Sequence, residues 1–433
     1  MNDVTVGLIG LAVLMVLFLT GIELGFAMAL IGFLGFSYIV SMKAGLNLLS
    51  KDIFDVFSSY GFTVIPLFVL MGQVAFNAGI AKRLYNTSYK FIGHIPGGLA
   101  MATVAGATAF KAICGSSPAT AATFASVAVP EMDRYGYDKK LSTGIVATVG
   151  TLGILMPPSV TLIVFGIITE QSIGKLFLAG IIPGLMIAFF FIVIIYGWCK
   201  LNPALGPRGD RSTWKERIRS LPEVIWITII FLLVIGGLMQ GFFTPTEAGS
   251  VGTFAVLILS IIKRDINLKG YIKSVSESLR TACMVLMLIA GSMVLGHFLA
   301  VTKIPMITAD WVMSLPLNRY LIMIIIALIY LIGGSFIDDL AFMVLATPIF
   351  YPCIQKLGFD PIWFAMIIAI TVMVGVVIPP VAINVFVVKN ITKVPFNVIY
   401  AGVYPFLLSL LFAAILLFIF PQICTFLPYW LMK

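Results

Sequence analysis

Slide the chain along itself by 222 positions and its helix breakers fall on one another. Pro130 lies over Pro352, Gly136 over Gly358 and Asp138 over Asp360. Gly153 lies over Gly375, Pro157-Pro158 over Pro379-Pro380, Gly180 over Gly402 and Pro183 over Pro405. Glycine and proline are common in membrane helices, so one match means little, but eight at one gapless offset are hard to obtain by chance. A two-residue slip extends the match upstream, placing Gly21-Ile-Glu23-Leu-Gly25 over Pro245-Thr-Glu247-Ala-Gly249. Self-similarity of this kind constrains the architecture before any local reading does: the chain folds as two like halves.

Composition fixes the solvent of those halves. Of 433 residues, 61% are apolar and 10% charged, against about 25% charged in an average soluble chain. The fold class expected is an all-α polytopic membrane protein with no sizeable soluble domain. Met1-Asn2-Asp3-Val4 lacks a basic leader, so a cleaved signal peptide is not expected. The five cysteines are scattered without a CxxC, and His94 and His297 have no metal-ligand neighbour at helical spacing. No nucleophile-base pair or cofactor motif appears, and no enzyme is expected.

Gly115-Ser116-Ser117-Pro118 separates two apolar runs, about 97–114 and 121–130, each short of the roughly 20 residues a crossing needs. Alone, the stretch reads either as a re-entrant hairpin or as a kinked ordinary span. The second half repeats it: Gly333-Gly334-Ser335-Phe336-Ile337-Asp338-Asp339 separates runs at about 320–331 and 340–352. Two hairpins therefore fit best. After each comes a helix, 142–169 and 363–392, interrupted by Gly153-Ile-Leu-Met156-Pro157-Pro158 and Gly375-Val-Val-Ile378-Pro379-Pro380. Proline there removes a donor and frees carbonyls of the preceding turn. Interrupted helices at corresponding positions of two halves are the best sequence pointer to a transport site. The organisation expected is a first repeat at 1–198 (hairpin 97–132), a basic linker at 199–222 and a second repeat at 223–433 (hairpin 320–352).

The net charge of +9 is explained by topology rather than by nucleic acid. Nineteen Lys and Arg fall in the loops of one side and seven on the other, with Lys111 in neither. The positive-inside rule makes the richer side cytoplasmic, with both termini periplasmic. Five spans per half then make the repeat an inverted one, an architecture associated with alternating access.

The motifs resemble a family. They are Phe110–Met132 (FKAICGSSPATAATFASVAVPEM) with Arg134-Tyr-Gly-Tyr-Asp138, Gly150–Ser159, Ser172–Gly184, Phe243-Thr-Pro-Thr-Glu-Ala-Gly249, and Pro379-Pro380 with Asn384-Val-Phe-Val388. Together they look like the large membrane subunit of tripartite ATP-independent periplasmic (TRAP) transporters, over nearly the whole chain. The resemblance implies sodium-driven import of an organic acid such as a C4-dicarboxylate or sialic acid across the bacterial inner membrane. It also implies an elevator motion, a separate small four-helix membrane subunit and a periplasmic solute-binding protein. The competing expectations are a single-component sodium/dicarboxylate carrier and a cation/proton antiporter of the same superfamily.

On that resemblance the expected cofactors are sodium ions. Sodium is hard, and carbonyl and hydroxyl oxygens suit it, by extension of the logic for calcium and magnesium. The candidate ligands are Ser116, Ser117, Gly153, Met156 and Pro158 in the first half and Gly334, Asp338, Gly375 and Ile378 in the second. Asp338 and Asp339 stand out because intramembrane carboxylates are costly, although one of them can serve as a helix cap. Lys111, Asp339 and Asn384 are assigned to substrate or coupling. Where the family usually has Phe-Ser-Ala before the first tip this chain has Phe110-Lys111-Ala112, and where it has Thr-Pro-Pro this chain has Ile378-Pro379-Pro380. Lys111 lies one helical turn from the tip, with three readings open: a snorkelling side chain, a fixed charge in place of one sodium, or a partner for the substrate carboxylate.

Overall fold

Hydrocarbon offers backbone groups no water, so a chain of this composition must satisfy them within helices or a closed barrel. A computed structural model describes residues 2–18 and 20–432, and every regular element among them is helical. Met1 and Lys433, the ends of the two expected repeats, lie outside the described residues. Among those described, eight helices are long and apolar enough to cross a membrane.

The first half opens with Asp3–Phe18 and Leu24–Ile39, followed by Met42–Ser58, Val64–Asn77 and Ile80–Ile92. The hairpin helices Gly98–Lys111 and Ser117–Arg134 come next, then the broken helix Lys139–Val149, Leu152–Leu155 and Val160–Ile168, and the closing helix Ile173–Leu201. The second half runs Trp214–Met239, Pro245–Ile262, Leu268–Thr302, Ile304–Ser314, the hairpin Arg319–Phe336 and Asp339–Lys356, the broken helix Pro361–Gly375 and Ile383–Thr392, and Phe396–Ile419. A last helix, Gln422–Leu431, follows.

Four details differ from the sequence expectation. Met42–Ser58 and Ile80–Ile92 are additional helices flanking the third span. Both mix charged and apolar residues along their length, so neither carries an apolar run long enough to announce a span. In the second half the matching segment is the single 35-residue helix Leu268–Thr302. The first half interrupts it with a 3₁₀ turn at Tyr60–Thr63, just before Pro66.

The hairpin tips are also tighter than expected. The returning helix of the first starts at Ser117 rather than near Ala121, and the outgoing helix of the second continues through Gly333 and Gly334 to Phe336. The caps set both starts. Ser116 Oγ accepts from Ala119 N (3.3 Å), and Asp338 Oδ1 accepts from Leu340 N and Ala341 N (3.2 and 3.3 Å). These two N-caps stand 222 positions apart, as do Asp138 and Asp360, which cap the two broken helices.

The linker is shorter than 199–222, because helices run to Leu201 and resume at Trp214. It is fastened across the base of the first hairpin. Gly97 N donates to Gly206 O (2.8 Å), Asp138 N to Leu205 O (3.0 Å) and Tyr135 OH to Asp210 Oδ2 (2.7 Å).

Packing between halves is reciprocal. Leu24–Ile39 packs on Leu268–Thr302, while their counterparts Pro245–Ile262 and Val64–Asn77 pack on each other. Small residues allow this closeness, as is usual between membrane helices: a Cβ on Gly32 would stand 2.6 Å from Leu295 N. Leu268–Thr302 also packs on Val64–Asn77, which joins the two pairs. The broken helix of the second half is enclosed, and Ile362 to Gly375 are all buried. The closing helix Phe396–Ile419 lies against Lys139–Val149.

Candidate functional site

Each hairpin is held by the broken helix of the opposite half. Ser117–Arg134 packs on Ile383–Thr392, and Asp339–Lys356 packs on Val160–Ile168. Side-chain polar contacts mark each crossing. Asn384 Nδ2 donates to Ser117 Oγ (2.9 Å), and Thr161 Oγ1 donates to Asp339 Oδ2 (3.5 Å). Ser117 and Asp339 occupy equivalent positions, 222 apart. The first returning residue of each tip therefore reaches across to the far half's break.

This crossing brings both tips to one cavity of about 150 Å³. On one side lie Ser116, Ser117 and Thr161 with Asp338 and Asp339; on the other stand Phe68 to Phe76 and Thr281 to Val285 of the packed outer helices. The only formally charged side chains on its wall, among the described residues, are the two carboxylates. When ionised they would repel an anion entering there, in a poorly screened setting.

The remaining candidates stand behind this wall. Gly115 abuts the Pro158 carbonyl, so the first tip lies directly on the first break. Met156, Pro157, Pro158 and Ser159 are all buried. The Met156 side chain is turned towards Gly184 of the closing helix, which leaves main-chain oxygens as what that break can offer an ion. In the second half Gly375 lies close to the backbone of Gly334. Val381 N donates to Ser335 O (3.2 Å), joining tip to break. Pro379 and Pro380 are exposed and Ile378 half-buried, so the second break is the more open. Both Pro-Pro bonds are cis. Asp338 combines its cap with a place on the cavity wall. Gly334 lies inside the outgoing helix, in its last turn, where carbonyls lack intrahelical partners. Among the oxygens expected to bind sodium, those of Ser116, Ser117 and Asp338 face the cavity through their residues; those of the breaks lie beneath.

Asn384 is fully buried and is a strut rather than part of the cavity wall, since Nδ2 also donates to Ala147 O (3.1 Å). Lys111 is fully buried too. Its Nζ donates to Ser116 O (2.9 Å) and Thr120 Oγ1 (2.5 Å) and abuts Gly153. It does not snorkel. Two residues here escaped the sequence reading, Thr120 and Thr161. Thr120 stands one helical turn after Ser116 and Thr161 two residues after Ser159; a hydroxyl one turn beyond a cap is the signal that would have found the first.

A helical membrane protein whose two hairpin tips meet at one cavity, each packed on an interrupted helix of the opposite half, has the organisation of a secondary transporter. Solved structures agree at the level of fold. The Alcanivorax borkumensis YdaH transporter superposes with a TM-score of 0.59 at 12% identity, covering 88% of this chain and 89% of that one. Neisseria gonorrhoeae MtrF does so with 0.55 at 14%, covering 87% and 84%. Residues 11–423 match the family described as tripartite ATP-independent periplasmic transporter, DctM component. The C4-dicarboxylate TRAP transporter large permease protein DctM of Pseudomonas aeruginosa is 34% identical over 88% of this chain and 90% of its own. The sialic acid TRAP transporter large permease protein SiaM of Vibrio cholerae is 30% identical over 95% and 96%. The chain belongs to the DctM-component family of TRAP transporters. It is a polytopic transport protein, not an enzyme.

Proposed function

We propose that this chain is the large membrane subunit of a sodium-driven importer of an organic acid, resident in the inner membrane with both termini periplasmic. A periplasmic binding protein delivers the substrate, and a separate small membrane subunit completes the permease. The observation that carries the reading is the shared cavity: carboxylates from one tip and hydroxyls from the other face the packed outer helices. The two hairpins and the broken helices, tied by the Ser117–Asn384 and Asp339–Thr161 contacts, form the unit that slides as an elevator. The outer helices, joined across the halves at Gly25, Gly32 and Gly291, form the stationary wall. Sodium bound beside Asp338 and Asp339 balances their charge and admits an anion, which couples the two. The names of the relatives make a C4-dicarboxylate or sialic acid the first substrates to try.

The test is uptake into proteoliposomes holding the chain with its small subunit. Accumulation is expected only with an inward sodium gradient and added binding protein. Equal uptake with potassium in place of sodium and no binding protein would sink the reading.

A further inference from the structure

Lys111 has the surroundings of a bound cation. Its side chain is fully buried between the two helices of the first hairpin and the first break. The ammonium is held by a main-chain carbonyl, Ser116 O, and a hydroxyl, Thr120 Oγ1. The Ser116 carbonyl also accepts from Thr120 Oγ1 (2.9 Å) and Thr120 N (3.3 Å). None of the ion pairs among the described residues includes Lys111. A buried charge without a counter-ion is retained only where oxygen dipoles replace its hydration, and those are the oxygens a hard monovalent ion would use. The residues of the first tip therefore do not fit a sodium ion in addition: the ammonium uses the Ser116 carbonyl, and a second cation within about 4 Å of it would be repelled with little water between.

The second tip is built otherwise. The position 222 residues on from Lys111 is Gly333. The break glycine there, Gly375, approaches the Gly334 backbone directly, whereas its counterpart Gly153 meets the Lys111 ammonium. In place of Ser116 and Ser117 stand Asp338 and Asp339. One tip carries its own positive charge; the other carries negative charge that calls for one. Lys111 is also absent from the cavity wall, which separates it from any substrate carboxylate lying there.

We propose that Lys111 is a built-in cation that takes the place of a bound sodium at the first tip, so that this chain takes up sodium only at the second tip, beside Asp338 and Asp339. The inference rests on the sodium-coupled reading above and sets its stoichiometry.

The test counts sodium by equilibrium binding of radioactive sodium to the purified full chain with its small subunit. Lys111→Ser should bind about one more ion per chain than the parent, and Thr120→Val added to it should take that ion away again. An unchanged count in folded Lys111→Ser overturns the proposal. The parent offers an arm that does not depend on that variant folding: Asp338→Asn should leave no saturable sodium binding, and a count that stays at one overturns the proposal equally. The difference between Lys111→Ser and parent tests the lysine, whereas the parent's own count tests sodium coupling; a parent that binds none refutes the coupling whatever the lysine does. In transport, the Hill slope for sodium should rise by about one in Lys111→Ser.

Discussion

Asn384 is the joint between the second break and the first tip, and Asn384→Leu tests it. Leucine keeps the volume and removes the hydrogen bonds to both partners: Nδ2 to Ser117 Oγ (2.9 Å) and to Ala147 O (3.1 Å), and Ser117 Oγ to Oδ1 (3.2 Å). The site is fully buried, so neither partner gains water in exchange. An unmatched buried group costs about 1–3 kcal/mol, which puts two such groups at about 2–6 kcal/mol. Hydrogen bonds between membrane helices average nearer 0.6 kcal/mol with a ceiling of about 1.7, because unfolded helices in the membrane find other partners. The lower scale governs a chain in bilayer or detergent, and two lost partners then give about 1–3 kcal/mol, a five- to 150-fold change in the folded population. The assay is reversible unfolding in mixed detergent, read by tryptophan fluorescence, on Asn384→Leu, Ser117→Ala and the pair. The coupling between the two sites should be about 0.6–1.7 kcal/mol. If the double variant is additive within about 0.5 kcal/mol and Asn384→Leu unfolds as the parent does, the strut carries no energy and the reasoning fails. Uptake by Asn384→Leu should fall more than its stability does, because the moving body has lost a tie between its parts.

Other outcomes are checked more briefly. Ser117→Leu and Asp338→Ala should each abolish uptake while membrane insertion and association with the small subunit survive, since neither residue lies on the outer helices; normal uptake by both would remove the tips from the mechanism. Ile378→Thr adds a hydroxyl at the more open break and should give equal or tighter apparent sodium affinity, read from the sodium dependence of uptake. Gly402→Val should cost about 1–3 kcal/mol or more, because its Cβ would run into the Lys140 carbonyl and come 3.1 Å from Gly144 Cα, whereas Gly236→Ala, with nothing within 4 Å, should be neutral or stabilising by up to about 1 kcal/mol. A comparison of melting temperatures separates the two.

Much of the architecture was legible because breakers act locally. A proline pair removes a donor and a polar tip interrupts an apolar run wherever they fall, so Pro157-Pro158, Pro379-Pro380 and the two tips announced the hairpins and breaks from the chain alone. Capping is local as well: a cap at Asp338 or Asp339 was expected and Asp338 makes it, whereas the cap at Ser116 was not read and the first returning helix starts earlier than the apolar run suggested. The amphipathic helices Met42–Ser58 and Ile80–Ile92 were not visible in the same way, because mixed polarity reads as loop between spans when only hydrophobic length is weighed. What lay beyond the sequence was partnership. Nothing local says that Ser117 faces Asn384, that Thr161 faces Asp339, or that the two tips share one cavity, since those pairs are brought together by helices 178 to 267 residues apart along the chain. Lys111 shows the division best. Its depth followed from its place in an apolar run, but the same depth was compatible with snorkelling, with a substrate contact or with a fixed charge. Only the packing of the hairpin, which turns the ammonium inward onto Ser116 and Thr120 rather than outward to a membrane face, decided what that charge is bound to.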